Sequence, residues 1–367
     1  MKTSHITSIG VAVPEAKFSQ EAIADTMADL INLDEEKRRN LQILYRATGI
    51  KYRHSVIGNL ESGDFKNFFL SGDNHNQFPG VAARMEVYKK EAIKLSLKAI
   101  QNAITNLGTF KPQQITHLIT VSCTGMYAPG LDIEIIEQLQ LNSHTQRTAV
   151  NFMGCYGVFN GLKLADAICR AEENAKVLLV SVELCSLHLQ KSEDSDDLLS
   201  ASIFADGAAA AIIESQPSAD LSLSPLSFYC DLYPQGKEDM VWEIGNFGFE
   251  MKLSAYVPGL LGKGINTLVE NLLKQLGLKL ADIHHFAIHP GGKKILAEIE
   301  KALELEREQN EAAYQVLRNY GNMSSATILF VIKKILDQLH SGNKNQNLLG
   351  MAFGPGLTME SMLLRVC

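Results

Sequence analysis

The sequence predicts an α/β protein with mixed sheets, built as two halves of similar outline. Three observations carry that expectation. Short apolar runs that read as strands alternate with helical patterns along the whole chain. At 367 residues the chain is too long for one simple core. The polar turn Ser215-Gln216-Pro217-Ser218 then punctuates the middle, dividing residues 1–216 from 217–367. The likeness of the halves is one of outline, with no residue-level repeat.

Composition narrows the class. A hydrophobic share of 46% and a charged share of 20% suit a compact soluble protein. The formal charge of −7, with no standout Lys/Arg run, argues against general nucleic-acid binding. The six cysteines (Cys123, Cys155, Cys169, Cys185, Cys230 and Cys367) have no C-x-x-C spacing. That argues against a zinc site or a disulfide framework and fits a reducing cytoplasm. The opening MKTSHITSIGVAVPEAKFS has too short an apolar run for a signal peptide or a membrane span, so a cytoplasmic protein is expected.

The elements follow in order. The first apolar run reads as a strand that stops at Pro14, and QEAIADTMADLI (20–31) as a helix. Asp34 offers an N-cap to a second helix with Glu35 and Glu36 in its first turn. Lys37, Arg38, Arg39, Arg46, Lys51 and Arg53 make this region basic. It reads as a docking site for a phosphorylated cofactor or as a solvated helix face. Residues 62–80 place Phe65, Phe68, Phe69 and Phe78 among Gly, Asn and Asp, as a loop that packs its own aromatics or covers a tunnel mouth. A long amphipathic helix over 81–107 precedes the strand THLITVS (116–122). A helix from Asp132 and a strand around 148–152 lead to Cys155. There a strand, a small-residue turn, a helix and the apolar strand KVLLVSV (176–182) follow one another. A thiol at a helix N-terminus favours the thiolate, although Cys155 alone reads equally well as a buried small hydrophobe.

After an acidic tract at 193–197, IFADG (203–207) leads into an apolar strand up to Ile213. The second half has a strand over 221–232, the hairpin-like VWEIGNFGFEMKLS and a helix over 257–276. HFAIH (285–289) reads as a strand ending at Pro290-Gly291-Gly292. Helices over 293–303 and 306–317, the turn YGNMSS (320–325) that starts another helix, a strand over 347–353 and the closing segment 359–365 complete the chain.

Cys155, His289 and Asn322 each stand at the end of an element. A Cys and a His on separate elements suit an activated thiolate nucleophile, and a His with an Asn can hold a developing oxyanion or enolate. Singly, His289 also reads as a turn cap and Asn322 as a turn or helix cap.

Their flanks resemble a known family. GCYG at Cys155, AIHPGGKKIL around His289, YGNMSSATILF around Asn322 and GPGLTMESMLLR near the C-terminus are similar to the type III polyketide synthases. THLITVSCTGMYAPG and IFADGAAAAI extend the resemblance, which runs from about Ile115 to the end. This is the chalcone-synthase-like group of the thiolase superfamily. It implies a thiolase fold, a duplicated five-layer αβαβα with mixed sheets, in a homodimer. The nucleophilic cysteine would lie in the half at 1–216, and the histidine and asparagine in the half at 217–367.

The resemblance also implies the chemistry. Cys155 would carry an acyl-CoA starter as a thioester, while His289 and Asn322 stabilise the enolate formed when malonyl-CoA decarboxylates. Claisen condensation would then extend the chain by two carbons per round, ending in cyclisation or release as a pyrone or phenolic product. Acyl-CoA and malonyl-CoA enter as substrates, and no cofactor or metal is expected. Phe204 and Met251 fall at the two gatekeeper positions, where the family has phenylalanine. Cys123, Thr124, Cys185, His188, Trp242 and Ser324 fall on the cavity. Cys185 and His188 replace threonines of the plant pattern, and Trp242 replaces a glycine, so a short product that is not chalcone is expected. Arg46, Lys51 and Arg53 are the candidate CoA contacts, out of register with the family's usual positions. The nearest alternative is a single-condensation ketoacyl synthase of type III that draws on acyl carrier protein. A hydroxymethylglutaryl-CoA synthase would need a catalytic glutamate that is not evident, and a non-catalytic partner would typically lack the nucleophile.

Overall fold

The computed structural model describes residues 3–58, 63–71 and 78–367. In the first half, β1 (His5–Ala12) and β2 (Lys17–Ser19) lead to α1 (Gln20–Leu30) and α2 (Glu35–Ala47). β3 (Tyr52–His54), the short α3 (Asp64–Leu70) and the long α4 (Val81–Thr105) follow. Then come β4 (His117–Ser122), α5 (Leu131–Leu139), β5 (Gln146–Asn151), α6 (Gly157–Ala171), β6 (Lys176–Leu184), α7 (Ser195–Ile203) and β7 (Asp206–Glu214). The second half begins with β8 (Leu223–Leu232), the hairpin β9 (Met240–Gly245) and β10 (Gly248–Leu253), and α8 (Val257–Lys274). It closes with β11 (His285–Ile288), α9 (Lys293–Leu303), α10 (Glu311–Tyr320), α11 (Thr327–Leu336), β12 (Asn347–Gly354) and β13 (Thr358–Val366).

Local chemistry sets these boundaries. Ser19 and Asp34 cap α1 and α2 through side-chain oxygens that accept from Ala22 N and Lys37 N, at 3.1 and 2.9 Å. Two expectations change. The acidic tract opens α7, because Asp194 accepts from Asp196 N at 2.8 Å and caps it. The aromatic stretch carries a helix, α3, whose Phe65 and Phe69 are buried. Phe69 meets Phe65, Phe68 and Phe78 at tilted or edge-on angles with ring centroids about 5 Å apart, so these aromatics pack on one another. The rest of that stretch, at 62 and 72–77, lies outside the described residues.

Nine strands form one mixed sheet in the order β11-β12-β13-β8-β1-β7-β6-β4-β5. β1 runs antiparallel along β7 but meets β8 only where Ile6 faces Leu223. The sheet is therefore two lobes, one per half, joined at a single pairing. Alternation along buried strands divides the core. Leu178, Val180, Ala208 and Ala210 face α4 in one cluster, while Val177, Leu179, Ala209 and Ala211 face α6 and α11 in another. α6 also touches β13, and α11 touches both β11 and β1. These two helices are thus sandwiched between the lobes, and α8 covers β8 and β13 on the far side. The result is the layered αβαβα thiolase-type architecture, with the ends of β5, β11 and β12 brought to its centre.

Candidate active site

Cys155 sits in a tight 3-10 turn (Gly154–Tyr156) between β5 and α6. Glycine is required just before it. Gly154 has φ +71°, and an added Cβ would lie 2.4 Å from Pro355 Cδ. His289 follows β11 and is anchored by its N–H to Met351 O at 2.9 Å. Asn322 follows Gly321, which has φ +73° and no room beside Arg53. Ala205 N donates to Asn322 O at 2.8 Å and Asn322 N to Ile203 O at 3.0 Å, which locks Phe204 beside Asn322.

Cys155, His289 and Asn322 line one lobe of about 20 Å³, together with Phe204 and Met251. Cys123, Thr124, Cys185, His188, Trp242 and Ser324 line a second lobe of about 40 Å³. Phe204, Met251 and Gly154 belong to both linings, so the two residues expected as gatekeepers stand in the wall shared by the two lobes. Every residue expected at the nucleophile or the cavity is therefore at this site.

The electrostatics differ from the sequence expectation. Burial pushes the Cys155 thiol up to about 12, opposed by Ser324 and Asn322 and reinforced by the buried Glu183. Desolvation outweighs the helix N-terminus, and the resting residue is a thiol. Burial lowers His289 to about 3, so its imidazole is neutral. The ring is 1% exposed, and neither Nδ1 nor Nε2 has a hydrogen-bond partner. Asn322 Oδ1 accepts from Ser324 N at 2.9 Å, and Nδ2 has only a long 3.4 Å contact to Gly291 O. The asparagine thus turns its donor side toward Cys155, whose anion it favours.

In the second lobe, Phe249 N donates to His188 Nδ1 at 2.9 Å, so Nε2 carries the proton and donates to Thr124 O at 2.7 Å. Both ring nitrogens are engaged, burial lowers this imidazole to about 3, and the ring stacks on Phe249 at 4.3 Å. Trp242 Nε1 donates to Cys123 O at 2.7 Å, and the indole meets His188 edge-on. Cys123 Sγ lies against the backbone of Gly154, whose N–H points at it from 3.0 Å.

The expected CoA contacts fare differently. Arg53 is 4% exposed and donates to Gln20 Oε1, Ala201 O and Phe204 O, so it is an internal brace. The alternation of β3 turns it inward against the carbonyls around Phe204, and it cannot meet a phosphate in solvent. Arg46 and Lys51 line a separate polar depression with Glu21, Asp25 and Arg318. Sequence reasoning missed Glu183. Its buried carboxylate accepts from Cys123 N at 3.0 Å, Thr124 Oγ1 at 2.9 Å and Ser325 Oγ, tying the end of β4 to the Asn322 turn. Its one signal is an acidic residue within the apolar β6. Among the described residues, no three His, Cys, Asp or Glu side chains converge as a metal ion would require.

Comparison with known proteins fixes the class. Residues 2–217 match the chalcone and stilbene synthase N-terminal domain, and residues 227–367 match the C-terminal domain. The α-pyrone synthesis polyketide synthase-like Pks18 of Mycobacterium tuberculosis is 30% identical over 98% of this chain and 91% of its own length. The probable polyketide synthase 1 of Dictyostelium discoideum is 31% identical over 99% of this chain, which spans 11% of that protein. Among solved structures, the C-terminal type III polyketide synthase domain of Steely1, a type I/III hybrid from Dictyostelium, superposes with a TM-score of 0.90. It has 28% identity, and 99% of each chain is covered.

The protein is thus an acyltransferase of the thiolase fold. It belongs to the chalcone and stilbene synthase family, the type III polyketide synthases. That membership sets aside the single-condensation ketoacyl synthase. Among the described residues, no helix is long and apolar enough to cross a membrane.

Proposed function

We propose that Cys155 is the acyl-carrying nucleophile of an iterative, decarboxylative Claisen condensation, with His289 and Asn322 as its partners. In loading, neutral His289 takes the Cys155 proton as sulfur attacks an acyl-CoA carbonyl, and the proton leaves on the CoA thiol. Malonyl-CoA then loses CO₂, and N–H donors from His289 and Asn322 hold the enolate oxygen. The enolate carbon attacks the Cys155 thioester, forming the carbon–carbon bond and expelling the cysteine sulfur. The scheme uses acyl-CoA and malonyl-CoA as substrates and no resident cofactor.

The observation that carries this reading is the orphaned His289 ring. A buried imidazole with both nitrogens unpaired is costly, and this one faces the same small lobe as the only thiol in that lining. A substrate oxygen or a thiol proton supplies the missing partner. At roughly 10–15 Å³ per water, the resting second lobe has room for only a few waters. That narrowness supports a short product with few extensions, released as a pyrone or a phenol. The name of the mycobacterial relative, which assigns it α-pyrone synthesis, points the same way. A homodimer and a cytoplasmic setting complete the proposal.

The test is incubation of the purified protein with malonyl-CoA and starters ranging from acetyl-CoA to long-chain and aromatic acyl-CoAs, read by mass spectrometry. Products differing by repeated two-carbon units are expected. The Cys155→Ala variant should make none of them, while it can retain malonyl-CoA decarboxylation. Polyketide formation by that variant would exclude Cys155 as the nucleophile.

A further inference from the structure

The wall of the second lobe is braced from behind. Arg84, in the first turn of α4, is fully buried and belongs to neither lobe's lining. Its Nε donates to Pro79 O at 2.7 Å, and its Nη1 donates to Leu187 O and, at 3.0 Å, to Leu189 O. Those last two carbonyls flank His188, so the guanidinium grips this strip on both sides of the imidazole. The start of β10 presses on the same group. Gly248 has φ +122°, and a Cβ there would lie 3.0 Å from Arg84 Cζ and 3.1 Å from Nε.

One side chain therefore touches both segments that carry the wall. The strip brings His188, Leu189 and Gln190 to the lobe, and the β9–β10 hairpin brings Trp242 and Met251. The two segments are also tied to each other. Phe249 N donates to His188 Nδ1 at 2.9 Å, and Gln190 Nε2 donates to Phe247 O and Phe249 O at 3.3 Å. The hairpin turn is fastened to the start of α4 as well, where Val81 N donates to Asn246 O at 3.1 Å.

This is a costly brace. Burial lowers Arg84 to about 10, and among the described residues no carboxylate offsets its charge and Nη2 has no hydrogen-bond partner. For packing alone, an apolar side chain of similar volume would serve at least as well. What arginine adds is a rigid planar fork that holds several carbonyls at fixed angles. Its charge acts in the same direction. Burial chiefly, and the nearby guanidinium in addition, keep His188 neutral, so Nδ1 stays an acceptor for Phe249 N.

We propose that Arg84 is a positioning residue for product length, whose fork fixes the His188 strip against the β9–β10 hairpin and so sets the size of the second lobe. The assignment rests on the polyketide synthase reading for its consequence, the number of condensations, but the position of the wall does not depend on turnover.

The wall carries its own probe. Trp242 is the only tryptophan of the chain, and its indole meets His188 and Phe249 edge-on at 5.6 and 5.8 Å. Arg84→Lys keeps the charge and loses the fork, while Gly248→Ala keeps the guanidinium and presses a methyl group against it. In both variants the Trp242 emission should shift to longer wavelength and be quenched more readily by acrylamide. In Arg84→Lys, products with one further condensation should gain about tenfold over the shorter ones, the equivalent of one lost charge-assisted hydrogen bond. Acylation of Cys155 by the starter, read from the intact protein mass, should be unchanged, because Arg84 does not line that lobe. Unchanged emission or an unchanged product ratio in folded Arg84→Lys would overturn the proposal. So would a parallel fall in Cys155 acylation and in all products, which is the mark of a merely structural brace. If Arg84→Lys does not fold, Gly248→Ala decides by the same two readouts. If neither folds, Arg84 serves folding and the proposal fails. Should the unsubstituted enzyme make no polyketide, that reading fails on its own, and the emission shift alone decides whether Arg84 positions the wall.

Discussion

A thiolate needs water or a cation beside it, and Cys155, at 6% exposed, is cut off from the water that would solvate its charge. The positive end of α6 and the side chains of Ser324 and Asn322 favour the anion, yet burial leaves the thiol near 12. His289 supplies no standing cation, because burial holds its imidazole neutral down to about pH 3. Across the neutral range the resting pair is thus a thiol and a neutral base, and in the proposed loading step the proton moves as the acyl donor is attacked. The place of Cys155 at a strand–turn–helix corner was legible in the sequence, though its proposed role came only from the flanking motifs. Its protonation state was not, because desolvation is a property of the folded surroundings. The thiol state has a measurable sign. In the free enzyme, the iodoacetamide alkylation rate of Cys155, taken as the difference from Cys155→Ala, should rise about tenfold per pH unit from 7 to 10 without levelling. A plateau reached near pH 6 or 7 would instead indicate a preformed thiolate–imidazolium pair.

Elements, rather than single residues, shape the cavity. The β9–β10 hairpin pairs Trp242 with Met251, so one ladder rung presents both the expected second gatekeeper and the bulkiest residue of the lining. Two ties hold that hairpin over the second lobe, Trp242 Nε1 to Cys123 O and Phe249 N to His188 Nδ1. The hairpin was visible in VWEIGNFGFEMKLS, where alternating residues flank a turn. The ties were not, since they join positions 119 and 61 residues apart. Arg53 eluded sequence reasoning for the same reason. Its partners Gln20, Ala201 and Phe204 lie 33, 148 and 151 residues away, and only the β2–β3 pairing shows which way it turns. If the indole, which lines the second lobe, fills the space into which a growing chain extends, Trp242→Gly should increase the number of condensations per product. Losing the indole's packing and hydrogen bond should also cost about 2 kcal/mol of stability. Product masses and thermal melts check the two effects separately. An unchanged product from a folded variant would remove Trp242 from the cavity-limiting role.

At the scale of the whole molecule, the site exists only because two lobes of sheet meet across α6 and α11. Cys155 and His289 are 289 − 155 = 134 residues apart, and Asn322 lies 322 − 289 = 33 further on. Their meeting was legible only through the flanking motifs; composition and spacing alone did not require it. The same architecture leaves one edge open. β5 is the outermost strand of the first-half lobe, and Gln146, Arg147, Thr148 and Ala149 are exposed on it. Open edges are commonly blunted by proline, a bulge or clustered charge. β5 carries only Arg147, which is already paired with Asp132 at 2.9 Å. Antiparallel pairing of β5 with its counterpart in a second copy would satisfy that edge through a closed two-fold contact. It would also back the turn that carries Cys155 only a few residues on. The mass in solution should therefore be about 81 kDa, twice 40.4 kDa, by light scattering. Thr148→Glu/Ala149→Glu places like charges on both copies at positions exposed in the single chain. It should give a folded protein of 40.4 kDa with lowered kcat. If the unsubstituted chain itself runs at 40.4 kDa at micromolar concentration, or the double variant remains a dimer, then β5 is not the interface.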